Sequence, residues 1–132
     1  MKKIILGITI LIFICACSKS SLQKIDLKSL NSKLDNKETF ILYLSDESDG
    51  KILQDTLEKV SKKNNLLSYY INTIKLSDSD LKSLKEKFTF DETNIILFIK
   101  DGNEKTILSR ISDLYISEKD LEQEIKNQGY ID

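Results

Sequence analysis

The sequence predicts an α/β fold: a central mixed sheet of four strands flanked by helices, in the order α-β-α-β-α-β-β-α. Three observations predict it. Residues 39–44 (TFILYL) and 94–100 (NIILFIK) are near-continuous apolar runs, as strands buried on both faces are. The segments between and around them carry apolar residues at helical spacing, with polar caps at their starts. Asp101-Gly102 follows the second run directly, and Asp-Gly is a strong two-residue hairpin signal. The chain has 132 residues, 31% of them charged and 40% hydrophobic, which fits one globular domain.

The chain starts with a targeting segment. Met1-Lys2-Lys3 is basic, and residues 4–14 are apolar apart from Gly7 and Thr9. A run this short falls below the 20 or so residues a membrane-spanning helix needs and suits the apolar core of a signal peptide. Its end, Ile14-Cys15-Ala16-Cys17, resembles a bacterial lipobox. The resemblance implies cleavage after Ala16 and a diacylglycerol on the Cys17 thiol. Residues 1–16 are then a signal peptide, 17–24 a lipidated polar tether and 25–132 the domain. The expected location is the extracytoplasmic face of the cell membrane, since two or more acyl chains anchor a protein stably. A secreted protein or an uncleaved signal anchor is the alternative.

Composition narrows the chemistry. Both cysteines lie in the targeting segment, and the chain has no His. The domain therefore has no thiol for a disulfide, a metal thiolate or a redox pair. It has no imidazole for general-base, zinc or near-neutral pH-switch work, and it cannot build a Ser–His or Cys–His nucleophile pair. Removing Lys2 and Lys3 leaves 18 basic against 21 acidic residues, a side-chain charge of −3. That balance argues against nucleic acid as a partner and against electrostatic attraction to an anionic membrane. No cofactor is expected.

In order along the domain, Leu27, Leu30 and Leu34 predict a short helix capped by Asp26 and broken by Asp35-Asn36-Lys37. Residues 39–44 are the first strand. From Gly50 onward Ile52, Leu53, Leu57 and Val60 share one helical face, and Asn64-Asn65 ends that helix. Residues 66–74 (LLSYYINTI) are β-branched and aromatic enough for a second strand. Strand, helix and strand make a βαβ unit of parallel strands. Ser77 with Asp80 caps the next helix, striped by Leu81, Leu84 and Phe88. Residues 94–100 and 105–111 form a hairpin, the latter strand more polar, as an edge strand is. Ser117 caps a last helix with Leu121 and Ile125 inward, closed by Gly129. Tyr69 and Tyr70 are expected as core and sheet-rim residues.

This order resembles the thioredoxin fold over nearly the whole domain. The most specific piece is NIILFIKDG, similar to the thioredoxin stretch of cis-proline, apolar strand, Lys and Gly turn. Tyr43 in the first strand, Tyr69-Tyr70-Ile71 in the second and Gly129-Tyr130 near the end also resemble the small bacterial bacteriocin-transport accessory proteins. Those resemblances imply a peptide-binding rim between the active-site loop and the cis-proline loop.

The departures bear on function. Counting back from Leu53, Leu57 and Val60 places the family's Cys-x-x-Cys on Glu47-Ser48-Asp49-Gly50. Counting back from Gly102 places the cis-proline on Asn94. A cis bond before a non-proline residue costs about 3 kcal/mol, so the Thr93–Asn94 bond is expected to be trans. Thiol–disulfide exchange needs a thiolate nucleophile, and no cysteine stands near this loop. Asp46, Glu47 and Asp49 would sit at a helix N-terminus, where carboxylates are favoured, with Ser48 or Asp49 as cap. An EF-hand loop placed on Gly50 would need Asp at Ser45 and Glu at Thr56, and neither is there. No metal is expected, and a glycosidase-like carboxylate pair has only proximity in its favour.

The expectation is therefore a non-enzymatic, membrane-anchored binding module. It would act as an accessory or adaptor for a protein or peptide, with bacteriocin export as one setting. Its partner-binding rim would comprise Asp46, Glu47, Ser48, Asp49, Gly50, Thr93 and Asn94. The alternatives are an immunity or inhibitor lipoprotein, and a thiol–disulfide pathway component that uses a partner's thiol.

Overall fold

The structure is a computed structural model that describes residues 21–46, 51–88, 90, 94–104, 110–111 and 115–132. The expected signal segment and Cys17 lie outside the described residues. The elements in chain order are β1 (Leu22–Lys24), α1 (Leu27–Asp35), β2 (Phe40–Ser45), α2 (Ile52–Asn64) and β3 (Ser68–Asn72). A 3-10 turn at Thr73–Lys75 leads to α3 (Asp78–Lys87), β4 (Ile95–Lys100), β5 (Asn103–Glu104), β6 (Arg110–Ile111) and α4 (Glu118–Asn127).

The sheet runs β1-β3-β2-β4-β5, and β6 also pairs with β4. β1 and β2 both lie parallel to β3, and β4 is antiparallel to β2. β2 is central and buried along its whole length. Its side chains alternate between two cores, because successive residues of a strand point to opposite faces. Phe40, Leu42 and Leu44 join Leu30, Leu84, Leu97 and Ile99 on one face, beneath α1 and α3. Ile41 and Tyr43 join Leu53, Leu57, Phe98, Leu121 and Ile125 on the other, beneath α2 and α4.

The helix caps follow the sequence. Asp26 Oδ1 accepts from the Ser29 N–H at 2.7 Å, and that bond holds its carboxyl below the usual carboxylate range. The Ser77 and Ser117 hydroxyls accept from the Asp80 and Asp120 N–H groups. Gly129, at φ +86°, closes α4, with the Tyr130 N–H donating to the Ile125 carbonyl and the Gly129 N–H to that of Lys126. The 6→1 and 5→2 bonds make this a Schellman end.

Three expectations are corrected. The tether was expected to run to Lys24, but Leu22, Gln23 and Lys24 form a strand on β3, registered to Ser68, Tyr69 and Tyr70. The sheet is thus longer than four strands. The second predicted strand shrinks to residues 68–72, because Ile74 turns outward in the 3-10 turn and Leu67 stays exposed before β3. Ile52, expected inward, is 42% exposed at the first residue of α2. The hairpin turn at Asp101-Gly102 forms as predicted, with positive φ at both residues. Of the returning strand expected over residues 105–111, Arg110 and Ile111 pair with β4, and residues 105–109 lie outside the described residues.

Candidate functional site

The expected rim lies where β2 and β3 end and β4 begins. Ser45 is registered to Asn72, and Leu44 to Ile95. The Thr73 hydroxyl donates to the Ser45 carbonyl at 2.9 Å, and the Asn72 side chain accepts from the Ile74 N–H at 3.1 Å. These bonds fix the chain just past β3, with Ile74 63% exposed beside them.

Of the expected rim residues, Asp46 and Asn94 lie among those described; Glu47, Ser48, Asp49, Gly50 and Thr93 lie outside them, as does the Thr93–Asn94 peptide bond. Asp46 is half-buried just after β2. Asn94 is buried, 7% exposed, immediately before β4. Its φ is +62°, a left-handed conformation that Asn tolerates better than most residues. Its Oδ1 accepts a hydrogen bond from the buried Tyr43 hydroxyl. Burial pushes the Tyr43 phenol up, a hydrogen bond with the Ser45 side chain works against that, and the Asp46 charge adds to the rise. Tyr43 thus ties Asn94 to the end of β2 that Asp46 follows.

Sequence reasoning treated Tyr43 as a core residue. The available signal was its position in a strand buried on both faces, where a phenol hydroxyl needs a partner. Asn94 also departs from the proline that the resemblance put at its position. A proline ring fixes φ near −65°, so the backbone observed at Asn94 is closed to it.

The start of α2 differs from expectation as well. Its capping position is Lys51, at φ +71°, with no side-chain cap bond. The carboxylate in its first turn is Asp55. Among the described residues no group of three or more His, Cys, Asp or Glu could hold a metal ion, and no described helix is long and apolar enough to cross a membrane.

Away from this end, an open cleft of about 340 Å³ lies between α1 and β3, lined in part by Gln23, Ser32, Lys33 and Tyr69. Lys33 Nζ lies 4.5 Å from the centre of the Tyr69 ring and 3.4 Å from Glu38 Oε2. Desolvation at Lys33 opposes its charge, but Tyr69 and Glu38 outweigh it and raise the ammonium above its ordinary value. The Tyr69 ring meets Phe40 edge-on at 5.5 Å. Lys33 and Tyr69 therefore satisfy one another, which accounts for the cleft as packing.

No protein-family model matches the chain, and no curated protein matches it. Solved structures do. Oxidised thioredoxin from Plasmodium falciparum superposes with a TM-score of 0.63 at 15% identity, covering 82% of this chain and 98% of that one. Oxidised thioredoxin O2 from Arabidopsis thaliana gives 0.61 at 18% identity, over 84% of this chain and 96% of that one. Both likenesses span nearly the whole of those proteins, and at these identities they speak to fold alone. Together with the strand order and the two-sided helical cover, they show that this chain has a thioredoxin-like α/β fold.

Proposed function

We propose that this protein is a membrane-anchored, extracytoplasmic binding module, built on the thioredoxin-like fold and carrying no thiol chemistry of its own. The observation that carries this reading is a fold kept whole around a sequence with no cysteine beyond Cys17 and no His. The anchor is the lipid on Cys17. The partner is a protein or peptide received at the rim of Asp46, Glu47, Ser48, Asp49, Gly50, Thr93 and Asn94. Within that rim Asn94 acts from below, because its side chain is buried against Tyr43; the partner meets Asp46, the 47–50 loop and Ile74. An accessory role in bacteriocin export fits this reading and rests on the sequence resemblance alone.

Reversing the charge at Asp46, Glu47 and Asp49 together tests the rim. Partner capture on cells should fall while the melting temperature holds. Unchanged capture would remove this surface from the proposal. Insulin reduction by the mature protein should show no turnover, and turnover would contradict the non-enzymatic reading.

A further inference from the structure

We propose that the protein stands on the membrane on the end of the sheet where β1 begins, with Leu67 against the lipid surface and the rim facing the aqueous phase. This deepens the reading above and rests on Cys17 carrying the lipid.

The argument is one of lengths. With Leu22 held in β1, four residues (Ser18, Lys19, Ser20 and Ser21) separate it from Cys17. Five Cα steps reach at most about 18 Å when fully extended. The structured end of this leash is fastened. Leu22 is buried, and Ser68 Oγ lies 3.0 Å from the Ser21 carbonyl oxygen and 2.9 Å from the buried Ser61 Oγ. The leash cannot lengthen without stripping β1 from β3.

Strand register shows which end is tied down. Leu22 is level with Ser68, and Ser68 with Ile41, at the start of β3 and β2. Phe40 is level with Ile99, so the end of β4 and its turn lie there too. Asp46, Asn94 and Ile74 lie beyond the opposite ends of those strands. Ser21, one residue before Leu22, stands at the level of Phe40, and from Phe40 to Asp46 is six residue rises, about 20 Å at roughly 3.3 Å per residue. With the Ser21 carbonyl held by Ser68, the free part of the leash is four Cα steps, about 14 Å at most; it is shorter than the rise to Asp46, and the rim cannot be laid on the bilayer.

The tied end also offers an apolar contact. Leu67, 64% exposed, precedes Ser68, and its carbonyl accepts from the Ile41 N–H at 3.1 Å. The occupant of this end is the lipid surface itself. The partner of the rim consequently arrives from solution, or from the extracytoplasmic part of a larger assembly, and not from within the membrane.

The test uses the full-length lipoprotein, purified from bacterial membranes and reconstituted in phosphatidylcholine vesicles containing a lipid with a nitroxide on its headgroup. A fluorophore is attached through Leu67→Cys or, separately, Ile74→Cys. Cleavage removes Cys15 and acylation blocks Cys17, so the introduced thiol alone reacts. Both sites are exposed, and circular dichroism checks the fold.

Quenching at position 67 should exceed that at position 74 several-fold. A ten-residue Gly-Ser insertion between Ser20 and Ser21 should shrink the difference. Equal or reversed quenching in the parent, or a difference untouched by the insertion, overturns the orientation. Mass spectrometry of the parent's N-terminal peptide separates this from failure of the anchor. If Cys17 carries no diacylglycerol, the lipid reading fails and takes the orientation with it.

Discussion

Asn94 combines a left-handed backbone with a buried hydrogen bond to Tyr43, and each property separates it from the proline of the resemblance. Counting back from Gly102 was enough to find the position. Its conformation was not legible, because Asn is common in loops of every kind and nothing in the adjacent sequence specifies φ. Asn94→Pro should destabilise the fold by well over about 1 kcal/mol, since the ring cannot adopt the native φ. Tyr43→Phe leaves the Asn94 acceptor buried without this donor, and should cost about 1–2 kcal/mol. Urea denaturation measures both. A neutral Asn94→Pro would mean that the loop entering β4 takes another conformation in solution.

At the scale of the element, three helices end in the same way. The Lys37, Asn65 and Gly129 residues after α1, α2 and α4 are left-handed, and the next N–H reaches five residues back, to Lys33, Ser61 and Ile125. Gly and Asn suit that position, whereas a left-handed Lys carries a penalty of about 1–2 kcal/mol. Lys37→Gly should therefore stabilise the protein by about 0.5–1 kcal/mol after the flexibility of glycine is set against the relief. Gly102→Ala should do the reverse, by about 1–3 kcal/mol. The φ of Gly102 is +77°, and a Cβ there would press on the Leu34 carbonyl oxygen and lie 3.1 Å from the Lys37 Cα. Thermal denaturation of the two variants checks both signs.

Element starts were readable because Asp26, Ser77 and Ser117 each act on an N–H three residues away. β1 was not readable. LQK has one apolar residue and no period, and only its pairing with β3, more than forty positions away, makes it a strand. Ile52 was misassigned because helical periodicity identifies a face but not where that face stops being covered.

Over the whole molecule the fold was legible because its determinants are long-range but simple. Two strands buried on both faces demand two covering layers, and the capped helices supply them. The site was less legible, since the resemblance marks where chemistry should be and the sequence shows only that cysteine and proline are missing. The α2/α4 layer is tied to the sheet near the C-terminus. The Tyr130 hydroxyl donates to the Ile99 carbonyl at 2.7 Å, and its ring lies 5.4 Å from that of Phe98. Across α2 and α4, the Lys59–Glu118 and Lys63–Glu122 pairs are exposed and add little.

Burial, with the Asp101 charge adding to it, pushes the Tyr130 phenol up from 10.0 to about 12. The folded state thus keeps a proton that the unfolded state gives up. The contribution is whole below pH 10 and is lost as pH rises toward 12. Tyr130→Phe should be less stable than the parent near neutral pH and should lose less stability across that alkaline window. Parallel pH profiles for the two proteins would contradict this.

The most direct test of the central claim, a thioredoxin-like rim used as a partner site, is photo-crosslinking in living cells. A photoreactive residue would replace Ser48, Ile74 or, as the control at the opposite end of the sheet, Leu67 in the full-length protein. One discrete protein adduct from Ser48 and Ile74, and none of that mass from Leu67, is the predicted result. Adducts from Leu67 alone, or none from either rim position in a folded protein, would contradict the account.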